Sequence, residues 1–119
     1  MGLNEKFFKS ASAPTGSDYF TPVLYTGDSN AKSITSLNFQ PDLVWIKNRD
    51  ADNWHILTDS LRGVTKTIFS NDTSPETTAP GFGSLSSFDS NGFTVSPGSF
   101  SMANVGADGE DYVAWCWKA

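Results

Sequence analysis

FQPDLVWIKNR, residues 39–49, is the stretch whose reading decides the fold class. Pro41 and Asp42 punctuate its start, and Leu43 to Lys47 then form a short β-rich run. A side-chain period of two places Leu43, Trp45 and Lys47 on one face and Val44, Ile46 and Asn48 on the other. Both faces begin apolar, which predicts a strand covered on both sides rather than a solvated edge. Asn48, Arg49 and Asp50 return the chain to water.

The rest of the chain supports an all-β reading. Helix formers are scarce, Ser, Thr, Gly, Asn, Asp and Phe are plentiful, and no segment keeps a 3.6-residue apolar period for three turns. Short runs separated by turn signals predict an antiparallel β-sandwich, jelly-roll-like, of about seven or eight strands. Tyr19–Tyr25 reads as an edge strand because Pro22 cannot donate to a ladder, and Gly27–Asn30 should turn it into a hairpin with Ser33–Leu37. Trp54–Asp59 and Val64–Phe69 follow as strands about the tight turn Ser60–Gly63. Leu85–Phe88 and Phe93–Val95 flank Asn91-Gly92, a hairpin signal. The loops 70–81 and 97–111 are long and polar, with Phe100 and Met102 placed to pin the second one to the body. In the last strand, Tyr112–Lys118, Val113, Trp115 and Trp117 share one face, and Tyr112, Ala114 and Cys116 the other. Small side chains at 114 and 116 let a second layer approach closely, and Trp45, Trp115 and Trp117 are expected in the core.

Residues 1–18 read as an arm and linker ahead of a domain at 19–119. Leu3, Phe7 and Phe8 stand among Asn4, Glu5, Lys6 and Lys9, and a Ser/Ala/Pro/Gly stretch follows. Two adjacent phenylalanines suit a docking contact on this domain or on a partner. The whole chain, 119 residues, is one domain, long enough to bury about two-thirds of its unfolded surface without metal or disulfide. Its single cysteine, Cys116, predicts a small buried thiol. Thirteen acidic residues against eight scattered basic ones give a net charge of −5, with no footprint for nucleic acid. No apolar run reaches membrane-spanning length, and Met1 is not followed by a secretory signal.

PDLVWIKNRD at 41–50, WHILTDSLRG at 54–63, FSN at 69–71, SFDSNGFTV at 87–95, then Asn104, Gly109 and YVAWCWKA at 112–119 form an ordered set of motifs. Together with VLYTG at 23–27, the set resembles a module of structural proteins in tailed bacteriophages, cyanophages and other marine phages among them. The resemblance implies a virion component without enzymatic activity, in a tail fibre, an appendage or the particle surface. An arm directly after Met1 fits a protein that decorates a capsid or caps an appendage, assembled in the host cytoplasm and docked through that arm. A homo-oligomer such as a trimer suits repeated attachment at a particle surface.

Individual residues raise other chemistry. His55 is the single histidine, and a structural hydrogen bond fits it better than general-base catalysis. Asp50, Asp52 and Asn53, and separately Asp108, Glu110 and Asp111, carry oxygen ligands but not the full spacing of a calcium loop, so no cofactor or metal is expected. Asn71-Asp72-Thr73 fits the glycosylation pattern but has no secretory context. Arg49, Asp59 and Arg62 are expected to form a charge-paired network with each arginine bidentate to a carboxylate. The alternative function is a receptor-binding module that holds a host surface glycan with the 70–81 and 97–111 loops and Trp54, with His55, Arg49 and Arg62 as further surface residues; Trp54 fits a core position equally well. A polysaccharide hydrolase ranks last for want of paired carboxylates.

Overall fold

The computed structural model describes residues 13–78 and 80–119, so Leu3, Phe7 and Phe8 of the arm lie outside the described residues. Among the described residues a 3-10 turn at Gly16–Asp18 leads into nine strands: β1 (Phe20–Thr26), β2 (Lys32–Ile34), β3 (Leu43–Asn48), β4 (Ile56–Asp59), β5 (Lys66–Phe69), β6 (Thr77–Thr78), β7 (Ser84–Asp89), β8 (Gly92–Ser96) and β9 (Asp111–Trp117). They form two antiparallel sheets, six strands in the order β1-β9-β3-β4-β5-β6 and three in the order β2-β8-β7. The fold is all-β, as expected, and consistent with a β-sandwich.

The strand period sorts the large sheet into two unlike faces. Every inward position of β3, β4, β5 and β9 is buried, and none of their outward positions is. The inward set contains Val44, Ile46, Ile56, Phe69, Tyr112, Ala114 and Cys116, and the small sheet meets it with Ile34, Leu85, Phe93 and Val95. Ala114 and Cys116 are the small residues that keep this approach close. Burial of the Cys116 thiol pushes its pKa up to about 12, which leaves it uncharged and unreactive.

Two sequence expectations fail here for physical reasons. β1 and β2 do not form a hairpin: β1 pairs with β9, while β2 pairs with β8 in the other sheet, Ile34 opposite Phe93. Crossing between sheets buries Ile34 in the core, which a hairpin beside the edge strand would not do. Trp45, Trp115 and Trp117 are half-buried on the outward face rather than placed in the core. Their expected positions are filled by smaller side chains because only one face of the sheet is covered by the second sheet.

The β7–β8 hairpin forms, but its two turn residues are Ser90 and Asn91, since Asp89 pairs with Gly92. Glycine is required at 92 by a close approach: a Cβ there would stand 1.7 Å from the Ile34 carbonyl oxygen. The same hairpin carries a bulge between Leu85 and Ser87.

The long 97–110 connection is held down at several points. Phe100 packs on Trp54 and Phe82, at 5.5 and 4.9 Å between ring centroids, and the Met102 carbonyl accepts from the Trp54 amide at 2.9 Å. The Asn104 Oδ1 accepts from the Gly98 and Gly106 amides, and its Nδ2 donates to the Gly98 carbonyl. One buried-side amide thus closes the loop on itself, as a backbone pairing would.

Gly92→Ala should cost at least about 3 kcal/mol of unfolding free energy because the β2–β8 backbones must separate to admit the methyl group. Gly16→Ala, where an added Cβ meets nothing within 4 Å, should stay within about 0.5 kcal/mol of the parent. Urea unfolding of the two variants checks the contrast.

Candidate docking face

Strand register arranges the outward side chains of the large sheet into rows. The first row runs Phe20, Trp117, Leu43, Asp59; the second Pro22, Trp115, Trp45, Leu57, Ile68; the third Leu24, Val113, Lys47. Ten of these twelve side chains are apolar, and not one of the ten is buried. Leu24 is 63 % exposed. Three rows about 7 Å apart across four strands about 4.8 Å apart give an apolar area on the order of 400 Å². The largest apolar patch on a soluble monomer is commonly of this size, and such patches are often functional.

Aromatic contacts hold the face in shape. Phe20 lies against Trp117 at 4.9 Å, and Trp45 against Trp115 at 5.3 Å with the rings inclined by 59°. The His55 ring stands 6.4 Å from Trp45 at the border of the patch. Side chains locked in this way lose little rotamer freedom when a partner covers them.

The first row ends in an open groove of about 670 Å³. Leu43, Leu61 and Trp117 give it apolar walls, and Asp42, Asp59, Arg62 and Lys118 edge it. Leu61, at the tip of the β4–β5 turn, is 95 % exposed. The turn that presents it is rigid. Asp59 accepts from the Arg62 amide at 2.8 Å and from its Nε at 2.6 Å, and the Gly63 amide donates to the Asp59 carbonyl at 3.0 Å. Arg62 also donates through Nη1 to Glu76 (3.2 Å) and through Nη2 to the Leu57 carbonyl (3.2 Å). This bridge also ties the 70–81 loop to the turn.

Asp59 and Arg62 meet as expected; Arg49 does not join them. Its amide donates to the Asp111 carbonyl at 2.7 Å, at the far end of β3, and its residue is exposed. Nor is Arg62 bidentate to a single carboxylate, since its Nε and Nη1 serve two different acids. Partial burial pushes the Asp59 pKa upward, but the hydrogen bonds and charge of Arg62 outweigh it and hold the carboxyl below its ordinary value.

The remaining site residues from the sequence lie elsewhere. Trp54 is half-buried and joins the inner aromatic cluster, 4.7 Å from Phe69 and 5.5 Å from Phe100. The His55 amide donates to the Asn71 side chain at 2.8 Å, which fixes the start of β4 to the following loop. The acidic turns are occupied by the protein's own donors: Asp50 accepts from the Asp111 amide, Asp111 from Thr26, and Glu110 from Asn48. Among the described residues no three His, Cys, Asp or Glu side chains converge on a metal-sized space, and no helix is long and apolar enough to cross a membrane.

Leu24, Leu61 and the three outward tryptophans were not read as surface residues from the sequence. The available signal was segregation by size: Ala114 and Cys116 alternate with Trp115 and Trp117, so the two faces of β9 cannot both be core of one thin sandwich.

A family model described as a domain of unknown function (DUF7483) matches residues 15–119, and the chain belongs to that family. The matched span takes in the 3-10 turn at Gly16–Asp18. No curated protein and no solved structure matches the chain.

Replacing Arg62 with Ala should remove about 1–2 kcal/mol of stability at neutral pH by breaking its charged hydrogen bonds at once. Because the folded Asp59 pKa is depressed, its contribution is complete above about pH 4 and is lost as pH falls through the folded value. The stability gap between parent and Arg62→Ala should therefore narrow on acidification, as followed by urea unfolding at a series of pH values. A gap that stays constant down to pH 2 contradicts the pairing.

Proposed function

We propose that this protein is a non-enzymatic structural component of a bacteriophage virion, a capsid decoration or appendage protein, that attaches through the apolar outward face of its large sheet. The virion setting is supported by the motif resemblance of residues 23–27 and 41–119. The observation that carries the attachment mode is the face itself: ten apolar side chains in register, none of them buried.

The size of the face bears on how attachment works. Covering about 400 Å² of apolar surface is worth about 10 kcal/mol before costs, and association costs about 4–15 kcal/mol. A single copy then binds weakly. Many copies on a symmetric lattice, or a homo-oligomer that presents several faces at once, convert weak contacts into stable attachment. A decoration protein works under these conditions, with other virion proteins as its partners.

The glycan-binding alternative receives less support. Trp54, its central residue, is engaged with Phe69 and Phe100. The outward pair Trp45 and Trp115 is inclined by 59°, so it offers a ridge and not a flat platform for a sugar ring.

Leu24→Glu, at a position where the side chain is mostly in water, should leave the melting temperature within about 2 °C of the parent. The same variant should bind particles stripped of this protein at least about tenfold more weakly. Pull-down of purified full-length protein with stripped particles measures this. Undiminished attachment of a folded Leu24→Glu protein overturns the assignment of the face, and attachment to host cells but not to particles overturns the virion role.

A further inference from the structure

The outward face has the make-up of one half of a sheet-on-sheet contact. Its second row, Pro22, Trp115, Trp45, Leu57 and Ile68, crosses five strands without a charged side chain. The charged members of the other two rows are held by the protein's own groups. The Lys47 ammonium donates to the Asn48 and Ala51 carbonyls, and Asp59 accepts from Arg62. The Trp45 indole N–H is already out of water with no acceptor among the described residues, so a dry cover takes no hydrogen bond from it.

We propose that a second copy of this chain covers the face when the protein is free in solution. The two large sheets pack front to front about a two-fold axis that runs along the second row. Area supports this occupant first. A standard interface takes about 800 Å² from each partner, and about 57 % of that, or about 460 Å², is non-polar. The face offers an apolar area on the order of 400 Å², close to that share. An extended peptide is one strand spacing wide, about 4.8 Å, and would leave most of a patch that crosses five strands in water.

Shape supports the same occupant. On β1 and β9 the first row is bulky, with Phe20 and Trp117, and the third row is slimmer, with Leu24 and Val113. The axis turns the first row of one copy onto the third row of the other. Phe20 then meets the second copy's Leu24, Trp117 meets the second copy's Val113, and each contact is made twice. Large side chains are laid on small ones, as facing sheets about 10 Å apart require. The contact is closed, so pairing stops at two copies. Its consequence for regulation rests on the attachment reading above: free copies hide the face from one another's surroundings, and attachment exchanges the second copy for the particle surface.

Sedimentation equilibrium of the purified protein, with no particle present, tests the pairing. Dimers should be half-formed at about 1–100 μM, the weak end for interfaces of this size, and dissociate on dilution below that. Leu24→Glu should weaken association at least about tenfold. Ser90→Glu, exposed at the tip of the β7–β8 turn in the other sheet, should leave it unchanged. Mixing Leu24→Lys with Phe20→Glu, at a side chain 37 % exposed, sets opposite charges at one of the two repeated contacts. The mixture should associate at least about fivefold more tightly than either variant alone. A protein that stays monomeric at about 1 mM, or a dimer indifferent to Leu24→Glu, overturns the pairing. Trimers, open-ended growth or no gain on mixing overturn the two-fold arrangement. Particle binding is read in a separate assay, so failure here is distinct from failure of the attachment reading.

Discussion

The pairing of β9 between β1 and β3 is the constraint on which the rest of the molecule depends. The strand is the last in the chain, yet it lies inside the large sheet and bonds to both neighbours along its length. Its register fixes the first row, Phe20, Trp117 and Leu43, and with it every row that follows. Because alternation is strict, the same register sends Tyr112, Ala114 and Cys116 into the sandwich and Val113, Trp115 and Trp117 out of it. A slip of one residue would put two tryptophans into a space shaped for alanine and cysteine, at a cost that close-packed interiors do not absorb. The outward aromatic face is thus a consequence of how the core closes.

Polar side chains keep the connections from competing with that face. Asn48, buried at the end of β3, donates to Glu110 and accepts from the Asp50 and Ala51 amides, so the chain turns away from the sheet at once. Tyr112 stacks on Tyr25 at 5.1 Å and accepts from the Ala107 amide, while the Tyr25 hydroxyl donates to the Val105 carbonyl. Burial raises the pKa of both phenols, that of Tyr112 to about 12, so this link between loop and sheet stays uncharged at physiological pH. These bonds and those of Asn104 tie down the 97–110 loop, and the outward sheet face stays uncovered among the described residues.

Much of the fold was legible in the sequence, and the reasons are local. The short β-rich run LVWIKN marks β3, the alternation of small and large side chains in DYVAWCW marks β9, and Asp59 and Arg62 are three residues apart about a tight turn, the spacing their ion pair uses. What was not legible depends on which strands become neighbours. The β1–β2 hairpin reading was locally sound, and it fails because Ile34 gains more burial in the other sheet than beside β1. Trp45 read as core because its strand is apolar on both faces, and nothing within six residues tells which face the second sheet will cover. Leu61 sits in a polar turn, where one leucine carries no periodic signal at all. The docking face is built from residues of β1, β3, β4, β5 and β9, far apart in sequence, and only register brings them into rows.

Oxidative footprinting of the tryptophans tests most directly whether the outward face is the surface of attachment. Trp45 and Trp115 on that face, and Trp54 in the inner aromatic cluster, should be compared in the free protein and in protein bound to its particle. Attachment should reduce modification of Trp45 and Trp115 several-fold and leave Trp54 unchanged. Equal modification of Trp45 and Trp115 in the two states would contradict a role for this face in docking.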